Sequence, residues 1–209
     1  MSKKDSLTKE RIDRTMRKQI KISTNQYLEF RYTVEKLIIV LLSPFIGILF
    51  LSVFLYVSII LGKKIIFSQL RPGKDCKPFL IFKFRTFNDD GIIPNSLKFL
   101  RLHRLDEIPQ FFNILKGDMS LIGPRPEPLT YYKQIIRSHP EYNLRYKIKP
   151  GLTGLSQVEY GHSTKVEEAF LKFKYDLDYL NNLCLSTDLK IIYKTISIIF
   201  TSKGAENPI

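Results

Sequence analysis

A run of 25 residues without a charge, 37–61, sets the strongest limit on how this chain can fold. As an α-helix the run would be about 37 Å long at about 1.5 Å per residue, enough to cross a bilayer core of about 30 Å. The simplest interpretation is one transmembrane helix. The charged residues before it, 1–30, lack the apolar core of a signal peptide, so we expect a basic N-terminal tail.

Two features of the run favour a different arrangement. Ser43-Pro44 lies inside it, and a proline there removes a backbone donor and bends or breaks a helix. Both flanks are basic, with Lys36 on one side and Lys63 and Lys64 on the other. Since positive residues prefer the cytoplasmic side, two basic flanks favour a chain that enters and leaves the membrane on that same face. These residues alone support a re-entrant hairpin and a straight span equally.

The composition narrows the class of partner. The chain has 209 residues and a formal charge of +13, which indicates anionic partners such as nucleic acid, anionic lipid or phosphorylated substrates. The length fits one domain plus an anchor. Cys76 and Cys184 lie far apart and match no metal-binding spacing, so neither a disulfide framework nor a zinc site is expected.

Downstream of the run, residue patterns predict short strands and helices. The predicted strands are 65–69 and 79–84, and the predicted helices are 96–102, 106–115, one from about 126 to before Pro140, 167–183, and one capped by Ser186-Thr187-Asp188. Between them we expect a rigid loop at 117–126 and an extended, turn-rich segment at 146–158.

The last predicted helix is amphipathic, and its apolar residues share one face. They are Leu189, Ile192, Tyr193, Ile196, Ile199 and Phe200. We interpret this face as part of the core, with an interfacial helix on lipid headgroups as the alternative.

The dipeptide Asp106-Glu107 is the strongest candidate for catalytic chemistry. At a helix start, free N–H groups and the positive end of the dipole stabilise an ionised carboxylate, as a nucleophile or a metal ligand requires. Taken alone, however, the pair is better explained as an ordinary helix cap with a first-turn dipole partner.

Nearby cations change that balance. Lys83 and Arg85 are two residues apart and lie on one side of a strand, which suits phosphate oxygens, although a solvated strand edge is the plainer explanation. Arg125 stands between two prolines, so its backbone is fixed and it loses less entropy on gripping an anion. Asp176 and Tyr179 would share a helix face, which a capping pair explains equally well.

Together these segments resemble the bacterial sugar transferase family, the monotopic phosphoglycosyl transferases, over about residues 30–202. The segments that carry the resemblance are Leu42-Ser43-Pro44, Phe67-Ser68-Gln69-Leu70-Arg71-Pro72-Gly73, Lys83-Phe84-Arg85-Thr86, Leu105-Asp106-Glu107-Ile108-Pro109-Gln110, Gly117-Asp118-Met119-Ser120 with Gly123-Pro124-Arg125-Pro126, Pro150-Gly151-Leu152-Thr153-Gly154 with Gln157, and Asp176 with Tyr179. The short length resembles the minimal catalytic form of the family.

The resemblance implies an α+β, mostly helical fold. It places a re-entrant helix-break-helix hairpin, broken at Ser43-Pro44, at 31–64. A small cytosolic catalytic domain with interfacial amphipathic helices follows at 65–202, with tails at 1–30 and 203–209. The implied location is the bacterial inner membrane, with the catalytic domain on its cytoplasmic face.

The resemblance also implies a reaction and its residues. A sugar-1-phosphate would pass from a nucleotide diphosphate sugar, usually a UDP-sugar, to polyprenyl phosphate with release of UMP, which initiates assembly of a capsule, O-antigen, exopolysaccharide or glycoprotein glycan. Asp106 would form a covalent phosphosugar–aspartate, and Glu107 would either hold Mg²⁺ with Asp106 or assist proton transfer. The implied phosphate or substrate contacts are Lys83, Arg85, Arg101, Arg125, Gln157 and Asp176. Membrane lipid and downstream glycosyltransferases are the other implied partners, and nucleic acid is not one.

Three positions depart from the family pattern. Phe87 replaces a methionine, Glu35 stands where the membrane helix often has an aspartate, and Glu159-Tyr160-Gly161-His162 replaces Asn-Gly-Arg-Asn. The last change leaves the identity of the sugar open. Two other classes fit part of the sequence: a membrane-tethered basic module that binds nucleic acid or lipid, and a glycosyltransferase that releases UDP.

Overall fold

A computed structural model of the chain describes residues 25–161 and 166–201. These residues form a mixed α/β fold that is mostly helical, as predicted. The helices are α1 (Asn25–Leu61), α2 (Asn95–Leu102), α3 (Gln110–Lys116), α4 (Leu129–Ser138), α5 (Leu155–Glu159), α6 (Val166–Asn181) and α7 (Leu185–Thr201). The strands are β1 (Ile66–Pro72), β2 (Pro78–Phe84), β3 (Ser120–Ile122) and β4 (Gly151–Thr153). The predicted tail at 203–209, most of the predicted tail at 1–30, and His162 lie outside the described residues.

Helix α1 contains the whole uncharged run and is long and apolar enough to cross a membrane. It continues through Ser43 and Pro44, so the interruption in helical structure expected there is absent. The physical reason is that a proline within a helix removes one backbone hydrogen bond and bends the helix, which need not end it. The return of the chain to the same membrane face stays a prediction.

Both ends of α1 pack against the globular part of the chain, and one side of its middle does so too, where the buried Ile39 joins a core cluster with residues of β2 and α3. Leu28 and Tyr32 in the first turns join a core cluster with residues of α6 and α7. Val53 and Val57 in the last turns join another with residues of β2 and α2. Between the two contacts, Leu41 and other apolar side chains are exposed. The helix therefore presents an apolar surface flanked by two anchored ends.

Strands β1 and β2 confirm the two predicted strands, each somewhat longer than expected, and they pair as an antiparallel hairpin. Phe67 pairs with Lys83 in the register, so Lys83 lies one residue before the end of β2, at the open end of the hairpin. Helix α3 packs on this hairpin: the Asn113 side chain accepts from the Phe82 N–H at 3.1 Å and donates to the Leu80 carbonyl at 2.7 Å.

Strands β3 and β4 pair in parallel and were not expected, since both lie in segments predicted to be a loop or a turn-rich stretch. Each has three residues, too few to show an alternating pattern. The predicted extended segment 146–158 is also wrong at its ends, because a 3₁₀ helix, Pro140–Lys147, precedes β4 and α5 follows it.

The last two helices confirm the prediction in position but not in detail. Helix α7 begins at Leu185, so Asp188 lies inside its first turn instead of capping it. The Asp188 carboxylate is buried and accepts hydrogen bonds from Tyr27 and from Arg31, whose cation it neutralises. The apolar face of α7 is not core, since Tyr193 is 75% exposed and Phe200 is 82% exposed. The interfacial alternative is the one that this exposure fits.

Candidate active site

Asp106 and Glu107 lie in a short 3₁₀ turn, Leu105–Glu107, instead of at the start of the predicted helix. Arg104 precedes the turn in the left-handed region at φ 58°, which redirects the chain after α2. Pro109 then precedes α3, so that helix starts later than predicted. The turn is what allows two adjacent carboxylates to be buried together, at 8% and 6% exposure.

Two of the predicted cations converge on one oxygen of Glu107. Lys83 Nζ lies 2.7 Å from Glu107 Oε1, and Arg125 Nη2 lies 2.9 Å from the same atom. Strand β2 supplies Lys83, and the loop after β3 supplies Arg125. These segments are far apart in sequence, and the fold brings both cations next to Glu107.

Arg101 and Arg104 add positive charge next to the pair. Both lower the pKa of Asp106 electrostatically, and Arg104 also lowers that of Glu107. Arg101 was predicted and Arg104 was not, although Arg101-Leu102-His103-Arg104 immediately precedes the turn and its density of basic residues is a visible signal. Four cations therefore surround two carboxylates, an excess of positive charge that suits a diphosphate.

The two carboxyl groups titrate differently. Burial raises the pKa of Asp106 to about 6, with a further increase from the charge of Glu107. Burial acts on Glu107 too, but Arg125, Lys83 and Arg104 outweigh it and hold the pKa of Glu107 well below its usual range. Near neutral pH both groups are ionised, and Asp106 is the more basic carboxylate of the two.

The loop that carries Arg125 is held through its backbone. Arg71 on β1 donates to the Pro126 carbonyl at 2.8 Å, and Arg145 donates to the Arg125 carbonyl at 3.0 Å. At Gly151 a Cβ atom would lie 2.1 Å from the nitrogen of Gly123, so only glycine permits this contact between strand ends. The Arg125 side chain is thus aimed at Glu107 by a rigid support.

Asp176 does not reach the carboxylate pair. It is buried in an ion pair with the fully buried Arg145 at 2.7 Å and accepts from the Ser156 hydroxyl at 2.8 Å. Because Arg145 also holds the Arg125 carbonyl, Asp176 contributes to the support of the site. Sequence reasoning missed Arg145, which lies close to Lys147 and Lys149 in a segment without a recognisable motif.

Two further predicted residues take other positions. Arg85 follows β2 and pairs with Asp89 at 2.6 Å on the surface, away from Lys83. Gln157 lines a cavity that Glu107 also lines, and its amide donates to the Leu152 carbonyl at 3.1 Å. Lys83 and Arg85 therefore have different carboxylate partners, and a phosphate contact shared by both stays a prediction.

Glu35 and Tyr179 join α1 to the globular part. The Glu35 carboxylate accepts from the Ser120 hydroxyl at 2.8 Å and from the Leu121 N–H at 3.0 Å, next to the site loop. Arg31 donates to the Tyr179 hydroxyl and pairs with Asp188 at 3.0 Å. These buried contacts fix α1 relative to β3.

The carboxylate pair fits Mg²⁺ only together with a substrate. Within 25–161 and 166–201, no group of three or more His, Cys, Asp or Glu residues could hold a metal by itself. Mg²⁺ usually takes one or two carboxylates and completes its shell with water and substrate phosphates. Both ion pairs with Lys83 and Arg125 go to Glu107, which leaves Asp106 outside them.

An α/β domain with a membrane-length helix and a buried carboxylate pair among cations defines a class of membrane-associated protein that handles phosphorylated ligands. The chain belongs to the bacterial sugar transferase family, whose model matches residues 27–202.

Curated relatives agree. The UDP-N-acetylgalactosamine-undecaprenyl-phosphate N-acetylgalactosaminephosphotransferase of Aeromonas hydrophila is 40% identical over 154 residues, which are 68% of this chain and 36% of that protein. The UDP-glucose:undecaprenyl-phosphate glucose-1-phosphate transferase of Klebsiella pneumoniae is 38% identical over 187 residues, 82% of this chain and 39% of that protein. An uncharacterized sugar transferase of Bacillus subtilis is 34% identical, and the match covers 70% of this chain and 75% of that protein. The chain spans well under half the length of the first two relatives.

Proposed function

We propose that this chain transfers a sugar-1-phosphate from a UDP-sugar to polyprenyl phosphate and releases UMP. The observation that carries the proposal is the buried pair Asp106 and Glu107 among Lys83, Arg101, Arg104 and Arg125. The names of two relatives, which state UDP-sugar donors and undecaprenyl phosphate acceptors, support the choice of substrates.

The proposed reaction has two steps with balanced bonds. An oxygen of Asp106 attacks the phosphorus that carries the sugar, and the bond from that phosphorus to the bridging oxygen breaks to release UMP. A phosphate oxygen of the lipid then attacks the same phosphorus, and the bond to Asp106 breaks. The product is a polyprenyl diphosphate sugar, and Asp106 is free again. The surrounding cations stabilise charge on the phosphoryl oxygens and on the leaving phosphate.

Asp106 suits the nucleophile better than Glu107 does. Its higher pKa makes it the stronger nucleophile, and it is not one of the partners of Lys83 and Arg125. Glu107 stays ionised under its cations, which makes it a poor base. We therefore assign Glu107 to positioning Lys83 and Arg125 and not to proton transfer.

Mg²⁺ is the proposed cofactor, with Asp106 and Glu107 as the protein ligands that would hold it against the donor diphosphate. When bound, the ion neutralises diphosphate charge and stabilises the departing UMP. Loss of turnover in chelator with recovery on adding Mg²⁺ is expected, and full turnover in EDTA would contradict this assignment.

A re-entrant attachment to the cytoplasmic face of the inner membrane completes the proposal. Arg31 near one end of α1 contacts Asp188 at 3.0 Å, and Tyr56 near the other end donates to the Ser96 carbonyl at 2.9 Å. Both partners belong to the globular part, so a helix that crossed the bilayer between them would place two parts of the globular region on opposite sides of the membrane. The exposed apolar middle of α1 supports insertion into lipid. Membrane lipid is a proposed partner because of this exposed surface. Downstream glycosyltransferases of glycan assembly are proposed partners because of the resemblance to the family.

Product analysis tests the reaction class. The protein in membranes or nanodiscs is incubated with polyprenyl phosphate and a panel of UDP-sugars, and the nucleotide released is identified. UMP with a lipid-linked sugar diphosphate is the expected result. Release of UDP would indicate a glycosyltransferase, and salt-sensitive DNA binding without nucleotide release would indicate a basic binding module.

A further inference from the structure

A cavity of about 540 Å³ lies beside the carboxylate pair, between α1, α7 and the segments around the 105–107 turn. Its size falls in the range of about 300–1,000 Å³ typical of small-molecule sites. Most of its lining is apolar, including Ile38 of α1, Leu105 of the turn, and Ile192, Ile196 and Ile199 of α7. These α7 residues belong to the face that was predicted to be core.

The charged residues in the lining of the cavity come from the segment that carries the carboxylate pair. Glu107 and Arg104 line it, next to Lys83 and Arg125, which are paired with Glu107. Gln157 lines it as well, and its Oε1 atom is buried with no hydrogen-bond partner among residues 25–161 and 166–201. A ligand that fits must therefore combine an anionic or polar head with an apolar chain.

The apolar part of the lining includes surfaces suited to lipid. Ile192 and Ile196 are 38% and 49% exposed although they line the cavity, so α7 forms a partly open wall. Ile38, which also lines the cavity, belongs to the uncharged run of α1 and is itself exposed. An apolar chain can enter sideways from a bilayer that covers these two helices.

We propose that this cavity binds the phosphate-proximal part of the polyprenyl chain, with the lipid phosphate directed at the cations around Asp106 and Glu107. This inference rests on the proposed function and adds the location of the acceptor. Charge complementarity favours this occupant over an acyl chain of a bulk phospholipid, because only a reacting phosphate needs to reach the buried carboxylate pair. The rest of the polyprenyl chain remains in the bilayer.

Filling the cavity tests the inference. Ile192→Trp and Ile196→Trp place a larger side chain at partly exposed positions, so the folded core is not displaced. Tyr193→Trp is the matched control, since Tyr193 lies on the same helix and does not line the cavity. Two steps are measured separately: UMP release and phosphosugar labelling of the protein without acceptor, and then transfer to polyprenyl phosphate.

We expect the two isoleucine variants to raise the KM for polyprenyl phosphate by about tenfold or more, the scale of losing apolar pocket contacts, while labelling without acceptor stays within about threefold of the unsubstituted protein. Tyr193→Trp should match the unsubstituted protein in both steps. An unchanged acceptor KM, an equal effect of Tyr193→Trp, or equal loss of both steps would overturn the inference. If the unsubstituted protein releases no UMP, the proposed function itself has failed.

Crosslinking gives a second test that does not depend on turnover. A prenyl phosphate with a photoreactive group near its phosphate end should label peptides that contain Ile38 or residues 192–199, and Ile196→Trp should reduce that labelling. Adducts only elsewhere in the chain would overturn the inference. Equal labelling of the same peptides by a photoreactive phosphatidic acid would assign the cavity to bulk lipid and overturn it as well.

Discussion

The difference between Asp106 and Glu107 is set by which carboxylate the cations touch. Lys83 and Arg125 both contact one oxygen of Glu107, so that group is held ionised, whereas burial raises the pKa of Asp106 to about 6. Adjacent carboxyl groups thereby differ in pKa, which is the basis for the separate tasks proposed for them. The sequence showed the pair and its cations, but the choice between roles depended on distances that only the fold provides.

The pKa of Asp106 predicts the acid side of the pH profile. A nucleophilic carboxylate must be ionised, so labelling of the protein by the donor should fall about tenfold per pH unit below about pH 6. Glu107 raises the pKa of Asp106, so Glu107→Gln should move this limb to lower pH while it lowers the rate. The rate of phosphosugar labelling is measured from about pH 4.5 to about pH 8, a range that extends about two pH units on either side of the pKa of Asp106. Asp89→Asn, at an exposed site, is the control, and a limb that moves upward in Glu107→Gln would contradict the assignment.

Asp106→Asn should abolish labelling and turnover without weakening the fold. The folded pKa of Asp106 lies above its ordinary value of 3.8, so the folded state favours the proton and the ionised group costs stability at neutral pH. Removing that charge should stabilise the protein by on the order of 1 kcal/mol at pH 7.5 and by less at pH 5. Thermal unfolding at both pH values measures this, and a large loss of stability at pH 7.5 would contradict it.

At the scale of elements, patterns predicted what local sequence determines. The β1–β2 hairpin, α2, α6 and the glycine end of α3 all follow from alternation, periodicity and Gly117. The parallel pair β3–β4 depends on residues about 30 positions apart and on glycines that allow backbone contact, which no local pattern records. The local sequence around Asp188 predicted a helix cap, but in the fold Asp188 accepts a hydrogen bond from Arg31 of α1, 157 residues away.

Asp176 illustrates how an element supports the site from a distance. Breaking a buried ion pair by removing one partner typically costs about 3–5 kcal/mol, so Asp176→Asn should lower the unfolding midpoint markedly. Because Arg145 also holds the Arg125 carbonyl, kcat should fall in the folded fraction. Thermal unfolding and steady-state kinetics test this, with the exposed Asp178→Asn on the same helix as control. An unchanged unfolding midpoint with a raised KM for the UDP-sugar would instead indicate direct contact with substrate.

At the scale of the whole molecule, the formal charge of +13 and the apolar surfaces act together. Basic residues flank the uncharged run on both sides, and α7 exposes a second apolar face. Anionic lipid attracts the basic residues, and the bilayer interior accommodates the apolar surfaces. In the proposed arrangement, the carboxylate pair and its cavity lie where a water-soluble diphosphate and a membrane lipid can both reach them.

The attachment of α1 predicts where its two ends lie. From Arg31 to Tyr56 a straight helix would rise about 37 Å, more than the bilayer core of about 30 Å. Yet Arg31 contacts Asp188 and Tyr56 contacts Ser96, both in the globular part.

With Cys76 and Cys184 replaced by serine, single cysteines at the exposed positions Phe30 and Lys63 should both resist an impermeant maleimide on intact cells and both react after lysis. A cysteine at a known external loop of another protein controls for access. Labelling of either position from outside would show a straight span and contradict the re-entrant arrangement. The two ends of α1 would then make their contacts on opposite sides of the membrane.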